Sequence, residues 1–201
     1  LEIASRDSRM KVLRAPAPLG PYGIRNLIIG MTQAPFIAIA DADDWSHPQR
    51  LEQELTALES TGGVAVFARH VRIAEGHMID ENSGRLIGDG LSSALYDARA
   101  FRTYGPFLPT RTRGDVEFRA RLRKLAGKSA VIELPIPFVL ARHNLGSNSH
   151  RFDKLELIEF RRRWLAFHED AARHMDDIDG YMMRAQESMF RALVPASMRI
   201  Q

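Results

Sequence analysis

The chain has 201 residues, of which 45% are hydrophobic and 26% are charged, and its formal net charge is +3. These proportions are typical of a globular domain with its own hydrophobic core. The absence of cysteine excludes disulfides and thiolate metal sites, and it fits a reducing compartment such as the cytoplasm. No apolar run is long enough to span a bilayer, and the cationic residues are dispersed, so nucleic acid is not an expected partner.

Helices and strands alternate in the first part of the chain, as judged from apolar spacing and from glycine and proline positions. Ser46 and Pro48 have the character of a helix start, and Gly62 with Gly63 has that of a helix end. The predicted elements are a helix tail at 1–10, a strand at 10–13, a loop at 16–23, a helix at 24–31, a strand at 36–40, a helix from Ser46 to Gly62 and a strand at 64–73.

The second part of the chain continues this order and favours an α/β sheet wound with helices on both sides. Asp115 is placed to cap a helix that Gly127 ends. The predicted elements are a loop or hairpin at 74–90, a strand at 91–96, a short helix at 97–104, a polar loop at 106–114, a helix from Asp115, strands at 130–134 and 138–142 divided by Pro135 and Pro137, and helical residues 152–192 with a break near 176–180.

The acidic end of the 36–40 strand is the first candidate site. The run is wholly apolar and follows Pro35, which predicts a strand buried on both faces, as in a parallel sheet. Asp41, Asp43 and Asp44 come directly after it, where open α/β sheets place their ligand crevice. Two carboxylates one residue apart can hold Mg²⁺ or Mn²⁺, but a solvated acidic turn that caps the next helix is equally compatible with this spacing.

Two further spots carry polar side chains in loop or helix-start contexts. Asp115 lies near Glu117, which we expect to face water, and Asp115 alone could be only a helix cap. His143 lies in a stretch rich in serine and asparagine, where a loop histidine without a ligand is the ordinary alternative. Arg161–163 beside Trp164 indicate a solvated helix face with one buried tryptophan, and docking to an anionic lipid surface is the alternative.

Taken in order, these segments resemble the centre of a glycosyltransferase family 2 domain, which has the GT-A fold. The family-like segments are 20–26 with Asn26, 39–45 with the acidic strand end, 48–51, 91–107, 114–118 with Asp115, and 142–147 with His143. The resemblance covers residues 1–150 as an α/β, GT-A-like (Rossmann-like) mixed sheet flanked by helices. Residues 151–201 would be a C-terminal helical extension.

The resemblance implies a role for each candidate residue. Asp41 and Asp43 match the family's DXD motif, so Asp43 would hold the divalent cation at the nucleotide-sugar diphosphate and Asp41 would contact the ribose or the metal. Asp115 matches the general base, and His143 a position that approaches the metal or the diphosphate. We expect phosphate contacts from Arg25 and Arg142 as well. These residue numbers are read from the present sequence.

The chain departs from the family pattern in two ways. No counterpart of the family's N-terminal strand–helix–strand unit, which carries a nucleobase-binding carboxylate, precedes the matching segments, so we expect the chain to be a piece of a longer protein. Gly114 also stands where many relatives have a second acidic residue before the base.

The resemblance predicts an inverting glycosyltransferase that depends on Mn²⁺ or Mg²⁺. The donor would be a nucleotide sugar such as a UDP-sugar, and the acceptor a glycan, a lipid-linked molecule or a small molecule, as in polysaccharide biosynthesis. We expect a cytoplasmic location. Two further alternatives stay open: peripheral attachment to the inner face of the membrane, and formation of a homo-oligomer. The alternative is a degenerate GT-A-like module without catalysis that binds carbohydrate or protein.

Overall fold

A computed structural model describes residues 6–15, 17–74, 77–79, 86–142 and 154–173. The 3-10 turn Lys128–Ala130 precedes the last strand. The helices and strands in chain order are α1 (Gly20–Met31), β1 (Phe36–Ala38), β2 (Trp45–Ser46), α2 (Arg50–Thr61), β3 (Ala65–Ala74), β4 (His77–Ile79), β5 (Ile87–Asp97), α3 (Arg99–Tyr104), α4 (Gly114–Leu125), β6 (Val131–Arg142) and α5 (Lys154–Ala172).

The strands form one mixed sheet in the order β1-β5-β3-β6-β2, with β4 paired to β3 beside this path. The central pair β3 and β6 is parallel, whereas β1–β5, β3–β5, β3–β4 and β2–β6 are antiparallel. The predicted α/β class with a mixed sheet is therefore confirmed. The long β3 lies at the centre because its consecutive apolar residues, 65–68, are buried on both faces.

Helices cover both faces of the sheet, and alternate residues of β3 contact opposite layers. On one face, α1, α3 and α4 bury an aromatic cluster in which the rings of Phe101 and Phe118 are stacked with centroids 5.0 Å apart. On the other face, Leu58 of α2 packs on Val66 and Leu95. Aromatic side chains bury much apolar area in few residues, so this cluster fixes α4 against the sheet.

Helix α2 ends where the sequence predicts, but it starts later. Gly62 adopts the left-handed conformation, with φ 65°, directly after the last helical residue, and glycine does so without strain. The predicted start at Ser46 is wrong, because Ser46 pairs with Val139 in the sheet and the His47 N–H donates to the Phe138 carbonyl at 2.8 Å. Pairing with a strand almost a hundred residues away outweighs the local helix signal.

Strand β6 is continuous, whereas two strands divided by Pro135 and Pro137 were expected. The prolines fall where the register against β3 shifts, since Phe67 faces Glu133 but Arg69 faces Pro137. A bulge needs fewer ladder hydrogen bonds than regular pairing. The missing proline N–H groups are therefore tolerated there.

Three predictions for the first 40 residues are wrong. Residues 10–13 form no strand, and Met10, Val12 and Leu13 are each at least half exposed. Residues 7–10 form a turn and not a helix tail, while residues 1–5 lie outside the described part of the chain. Strand β1 is three residues long, lies at the edge of the described sheet and exposes Ala38, so it is not buried on both faces.

Helix α5 is the described part of the predicted C-terminal helical extension, and it packs on α4. Trp164 is buried as expected. The predicted boundary between residues 150 and 151, and the helix break near 176–180, lie outside the described residues. No helix in the described ranges combines the length and apolar character that crossing a bilayer requires.

Candidate active site

The acidic residues Asp41–Asp44 lie in the loop that joins the two edge strands of the sheet. The loop leaves β1, which is next to β5, and enters β2, which is next to β6. It turns at Asp44, whose N–H donates to the Asp41 carbonyl at 3.3 Å. The loop therefore runs from one edge of the described sheet to the other, and its carboxylates come close to residues of several elements.

Asp41 is partly buried and forms an ion pair with Arg25 of α1. The Arg25 Nη2 atom lies 2.6 Å from Asp41 Oδ1. Burial raises the pKa of Asp41, the Arg25 charge opposes this, and the negative charges of Asp115 and Asp43 add to it. Asp43 and Asp115 are thus close enough for their charges to act on Asp41, which is paired with Arg25.

Asp115 lies in the first turn of α4 rather than at its cap. The helix begins at Gly114, and the capping position is occupied by Arg113, with φ 63°. Asp115 Oδ1 accepts a hydrogen bond from the Tyr22 hydroxyl at 2.9 Å and one from the Val116 N–H at 2.8 Å. No described residue donates a hydrogen bond to Oδ2. A carboxylate in the first helical turn is also favoured by the helix dipole.

Tyr22 is a site residue to which the sequence assigned no role. Burial raises its pKa well above the ordinary value, and the charge of Asp115 adds to this, so the hydroxyl stays protonated and donates to Asp115. A Cβ on Gly114 would lie 2.7 Å from the Tyr22 ring. The Tyr22 ring thus explains why position 114 is a glycine rather than a second acidic residue, because the ring fills the space that an acidic side chain there would need.

Glu117 does not face water, and the expectation that it would is wrong. Its side chain is fully buried and forms a bidentate pair with Arg121, with Nε–Oε1 3.0 Å and Nη2–Oε2 2.9 Å. His168 Nε2 of α5 lies 2.7 Å from Glu117 Oε1. Residues 51 positions apart meet here, and neither the spacing on α4 nor the pattern of α5 predicts the contact.

Asp44 fixes the end of β6 to the acidic loop. Its Oδ1 accepts a hydrogen bond from the Arg142 backbone N–H at 3.1 Å, and burial raises its pKa while this bond opposes the rise. The Arg142 side chain is exposed next to this loop. His143 lies outside the described residues, so its predicted place near the metal stays a prediction.

Asn26 ties α1 to the loop after α3. Its amide donates to the Phe107 carbonyl at 2.8 Å and accepts from the Phe107 N–H at 3.0 Å. Both backbone groups of one residue are therefore satisfied by one side chain. This bond holds Tyr22 and Arg25, which are on the same helix, against the loop that leads into α4.

The carboxylates of the acidic loop are chemically suited to bind a hard divalent cation. Asp41 and Asp43 offer oxygen ligands of the type that Mg²⁺ and Mn²⁺ prefer, in a site where the acidic charges already repel one another. Among the described residues, no group of three or more histidine, cysteine, aspartate or glutamate side chains is placed to hold a metal ion. The predicted third ligand, His143, is not described.

Residues 1–121 match the family model described as Glycosyl transferase family 2. A comparison with curated proteins found no match.

Solved structures share the fold. Staphylococcus aureus TarS 1–349 in complex with UDP-GlcNAc has a TM-score of 0.52 and 13% sequence identity, over 89% of the present chain and 57% of TarS. The complex of the same protein with UDP has a TM-score of 0.50 and 12% identity, over 89% and 56% of the two chains. The present chain therefore spans just over half of either structure, and these likenesses confirm the GT-A-like fold.

Proposed function

Because this chain belongs to glycosyl transferase family 2, we propose that it transfers a sugar from a nucleotide-sugar donor to an acceptor hydroxyl, with inversion and with a divalent cation. The observation that carries this proposal is the geometry of Asp115. A carboxylate held by the Tyr22 hydroxyl at 2.9 Å lies close enough to the acidic loop for its charge to raise the pKa of Asp41.

In this reaction Asp115 accepts the acceptor hydroxyl's proton. The acceptor oxygen forms a bond to the anomeric carbon on the side opposite the leaving group, while the bond from the anomeric carbon to the phosphate oxygen breaks. The electron pair of that bond leaves with the nucleoside diphosphate. Tyr22 holds Oδ1, which leaves Oδ2 to take the proton, and a positioned base of this kind contributes roughly 10²–10⁴-fold to the rate.

Arg25 and the acidic loop would bind the donor. The guanidinium of Arg25, which is bound to Asp41 at 2.6 Å, can be shared with a diphosphate, and Arg142 at the end of β6 offers a second guanidinium. Asp43, Asp41 and His143 are the residues that would hold Mn²⁺ or Mg²⁺. When bound, the cation would supply positive charge beside the leaving diphosphate.

Donor class and location are part of the same proposal. The TarS structures contain UDP-GlcNAc and UDP, which supports a nucleotide sugar as the donor of this chain. The acceptor would be a glycan, a lipid-linked molecule or a small molecule. The lack of cysteine supports a reducing compartment such as the cytoplasm.

Thermal unfolding tests donor binding. We expect UDP with Mn²⁺ to raise the midpoint, because a ligand at 100 times its dissociation constant stabilises the folded state by about 2.7 kcal/mol. EDTA and Asp43→Ala should each abolish the rise. Glu59→Gln, which changes an exposed carboxylate of α2 outside the site, should leave it intact.

The proton-transfer role is tested by Asp115→Asn, whose amide oxygen can still accept from Tyr22. This variant should keep the UDP–Mn²⁺ midpoint rise and lose transfer activity by about 10²–10⁴-fold. If neither nucleotide nor metal moves the wild-type midpoint, the chain is a non-catalytic module and the proposed function is wrong.

A further inference from the structure

A groove runs between α4 and α5, and we propose that it binds a phosphate group attached to an apolar chain. Its volume is about 390 Å³, within the range of roughly 300–1,000 Å³ typical of small-molecule sites. Val116 of α4 and Arg161 of α5 are on opposite walls. The binding of such a molecule by the groove is independent of the proposed function. Its role as the sugar acceptor rests on the proposed function.

Four arginines line the groove, and two of them are free to bind an anion. Arg119 is bound to Asp89 at 3.2 Å and to Glu133 at 3.0 Å, and Arg123 is bound to Glu133 at 2.9 Å. The other two, Arg113 and Arg161, form no ion pair with a described residue, and both are exposed. Two guanidinium groups on facing walls suit the several oxygens of a phosphate.

Arg113 is held in a backbone conformation that arginine seldom adopts. Its φ of 63° makes it the one non-glycine residue in the described ranges with a positive φ, a conformation that glycine would adopt without strain. Its side chain makes no capping hydrogen bond to α4. The Arg113 carbonyl accepts the first hydrogen bond of α4, from the Glu117 N–H at 3.0 Å, whereas its side chain is left to line the groove, two residues before Asp115.

Apolar side chains next to these arginines indicate the rest of the ligand. Phe160 and Trp164 are buried at the base of the groove, whereas Ile158 and Leu165 remain 63% and 48% exposed beside Arg161. Large apolar residues exposed in a group favour an apolar ligand over solvent. Cationic and apolar surface together favour an amphiphile as the ligand. A free sugar phosphate would leave Ile158 and Leu165 exposed to water.

Position relates the groove to the proposed reaction. Arg113 and Val116, which line it, flank Asp115 in the first turn of α4. Asp115 itself is held by Tyr22 of α1. Arg113 therefore connects the groove to the turn that carries the candidate base.

Trp164 offers a direct readout, because the chain has two tryptophans and Trp45 lies outside the groove. In a Trp45→Phe background we would titrate octyl phosphate, octyl glucoside and inorganic phosphate and follow Trp164 emission. The two octyl compounds are kept below their micelle-forming concentrations. We expect saturable binding of octyl phosphate and at least about tenfold weaker binding of the other two, since each lacks one of the two kinds of contact.

Two variants remove the free guanidiniums. Arg113→Gly keeps the left-handed backbone without strain, and Arg161→Gln keeps a polar side chain on α5. Each should weaken octyl phosphate binding about tenfold, the loss of one charge-assisted hydrogen bond, without lowering the thermal midpoint. Arg102→Gln, an exposed change on α3, is the matched control and should bind octyl phosphate as the parent does.

Equal binding of octyl phosphate and octyl glucoside would show that the groove does not recognise the phosphate group. Inorganic phosphate that binds as tightly as octyl phosphate would show that the groove does not recognise the apolar chain. Unchanged binding in both arginine variants would overturn the site itself. Because these titrations contain no nucleotide or metal, they fail or succeed independently of the UDP–Mn²⁺ midpoint that tests the proposed function.

Discussion

Two buried glutamate–arginine pairs, one on α2 and one on α4, have the same spacing and nearly the same burial but behave in opposite ways. Arg50 and Glu54 are four residues apart on α2, and Glu117 and Arg121 are four residues apart on α4. All four side chains are at most 3% exposed. The pKa of Glu54 is raised, whereas that of Glu117 is lowered.

The difference lies in the contacts of each pair. Burial alone would raise the pKa of Glu117, but the charge of Arg121 and the hydrogen bond from His168 outweigh it. Arg121 also donates to the Tyr104 and Pro106 carbonyls, at 2.7 Å each. Each guanidinium nitrogen of Arg121 therefore has an acceptor, and a buried ion pair is tolerated when its polar atoms are hydrogen-bonded in this way.

The α2 pair is loose. Arg50 Nε lies 3.6 Å from Glu54 Oε2, and Arg50 Nη2 donates to the Ile39 carbonyl at 3.1 Å instead. Burial raises the pKa of Glu54 to about 7, opposed by the Arg50 charge and the Ala68 backbone. Proximity of opposite charges is thus insufficient inside a protein; hydrogen-bonded contact decides which ionisation state is stable.

Arg121→Met should produce the largest effect. It leaves the buried Glu117 carboxylate without its cation, and we expect a loss of about 3–5 kcal/mol in the free energy of unfolding, measured by urea denaturation at pH 7. Arg50→Met should cost roughly 1–2 kcal/mol, because Glu54 can take up a proton near this pH. Equal losses in the two variants would contradict the distinction between the pairs.

Glu54→Gln should change how stability depends on pH. The folded-state pKa of about 7 lies above the ordinary 4.5, so the contribution of Glu54 is fully present below about pH 4.5 and is lost as the pH rises through 7. At pH 8 the variant should be more stable than the wild type by about 1–3 kcal/mol, and at pH 5 the difference should largely vanish.

Urea denaturation at the two pH values measures this difference. Glu52→Gln, an exposed change on the same helix, is the matched control and should leave the pH dependence as it is. A Glu54→Gln variant that is less stable than the wild type at pH 8 would show that the Glu54 carboxylate is ionised and well paired.

His168→Leu should have the smallest effect, about 1–2 kcal/mol, from the lost hydrogen bond to Glu117. His168 Nε2 lies 2.7 Å from Glu117 Oε1, and the buried Nδ1 has no hydrogen-bond partner among the described residues, so the contact with Glu117 is the one that leucine removes. His168→Gln, whose amide can donate to Glu117, should recover part of the loss. A leucine variant as stable as the wild type would mean that the hydrogen bond between His168 and Glu117 contributes nothing to the docking of α5.

Local patterns predicted the elements whose ends depend on their own residues. The end of α2 at Gly62 and the extent of β3 follow from a left-handed glycine and from β-branched residues, and the grouping of Asp41 with Asp115 followed from the family resemblance. Contacts over long separations were not predictable. Tyr22 is 93 residues from Asp115, and its hydroxyl has no signature in the sequence.

The paired hydrogen bonds between Asn26 and Phe107 make this position sensitive to the replacement of a single heavy atom. Aspartate has the shape of asparagine but carries an oxygen in place of the amide nitrogen. The donor that now faces the Phe107 carbonyl at 2.8 Å would become a second acceptor, so attraction would turn into repulsion. Asn26→Asp would thus loosen the helix that carries Tyr22 and Arg25 from the loop leading to Asp115, although it changes neither the size nor the shape of the side chain.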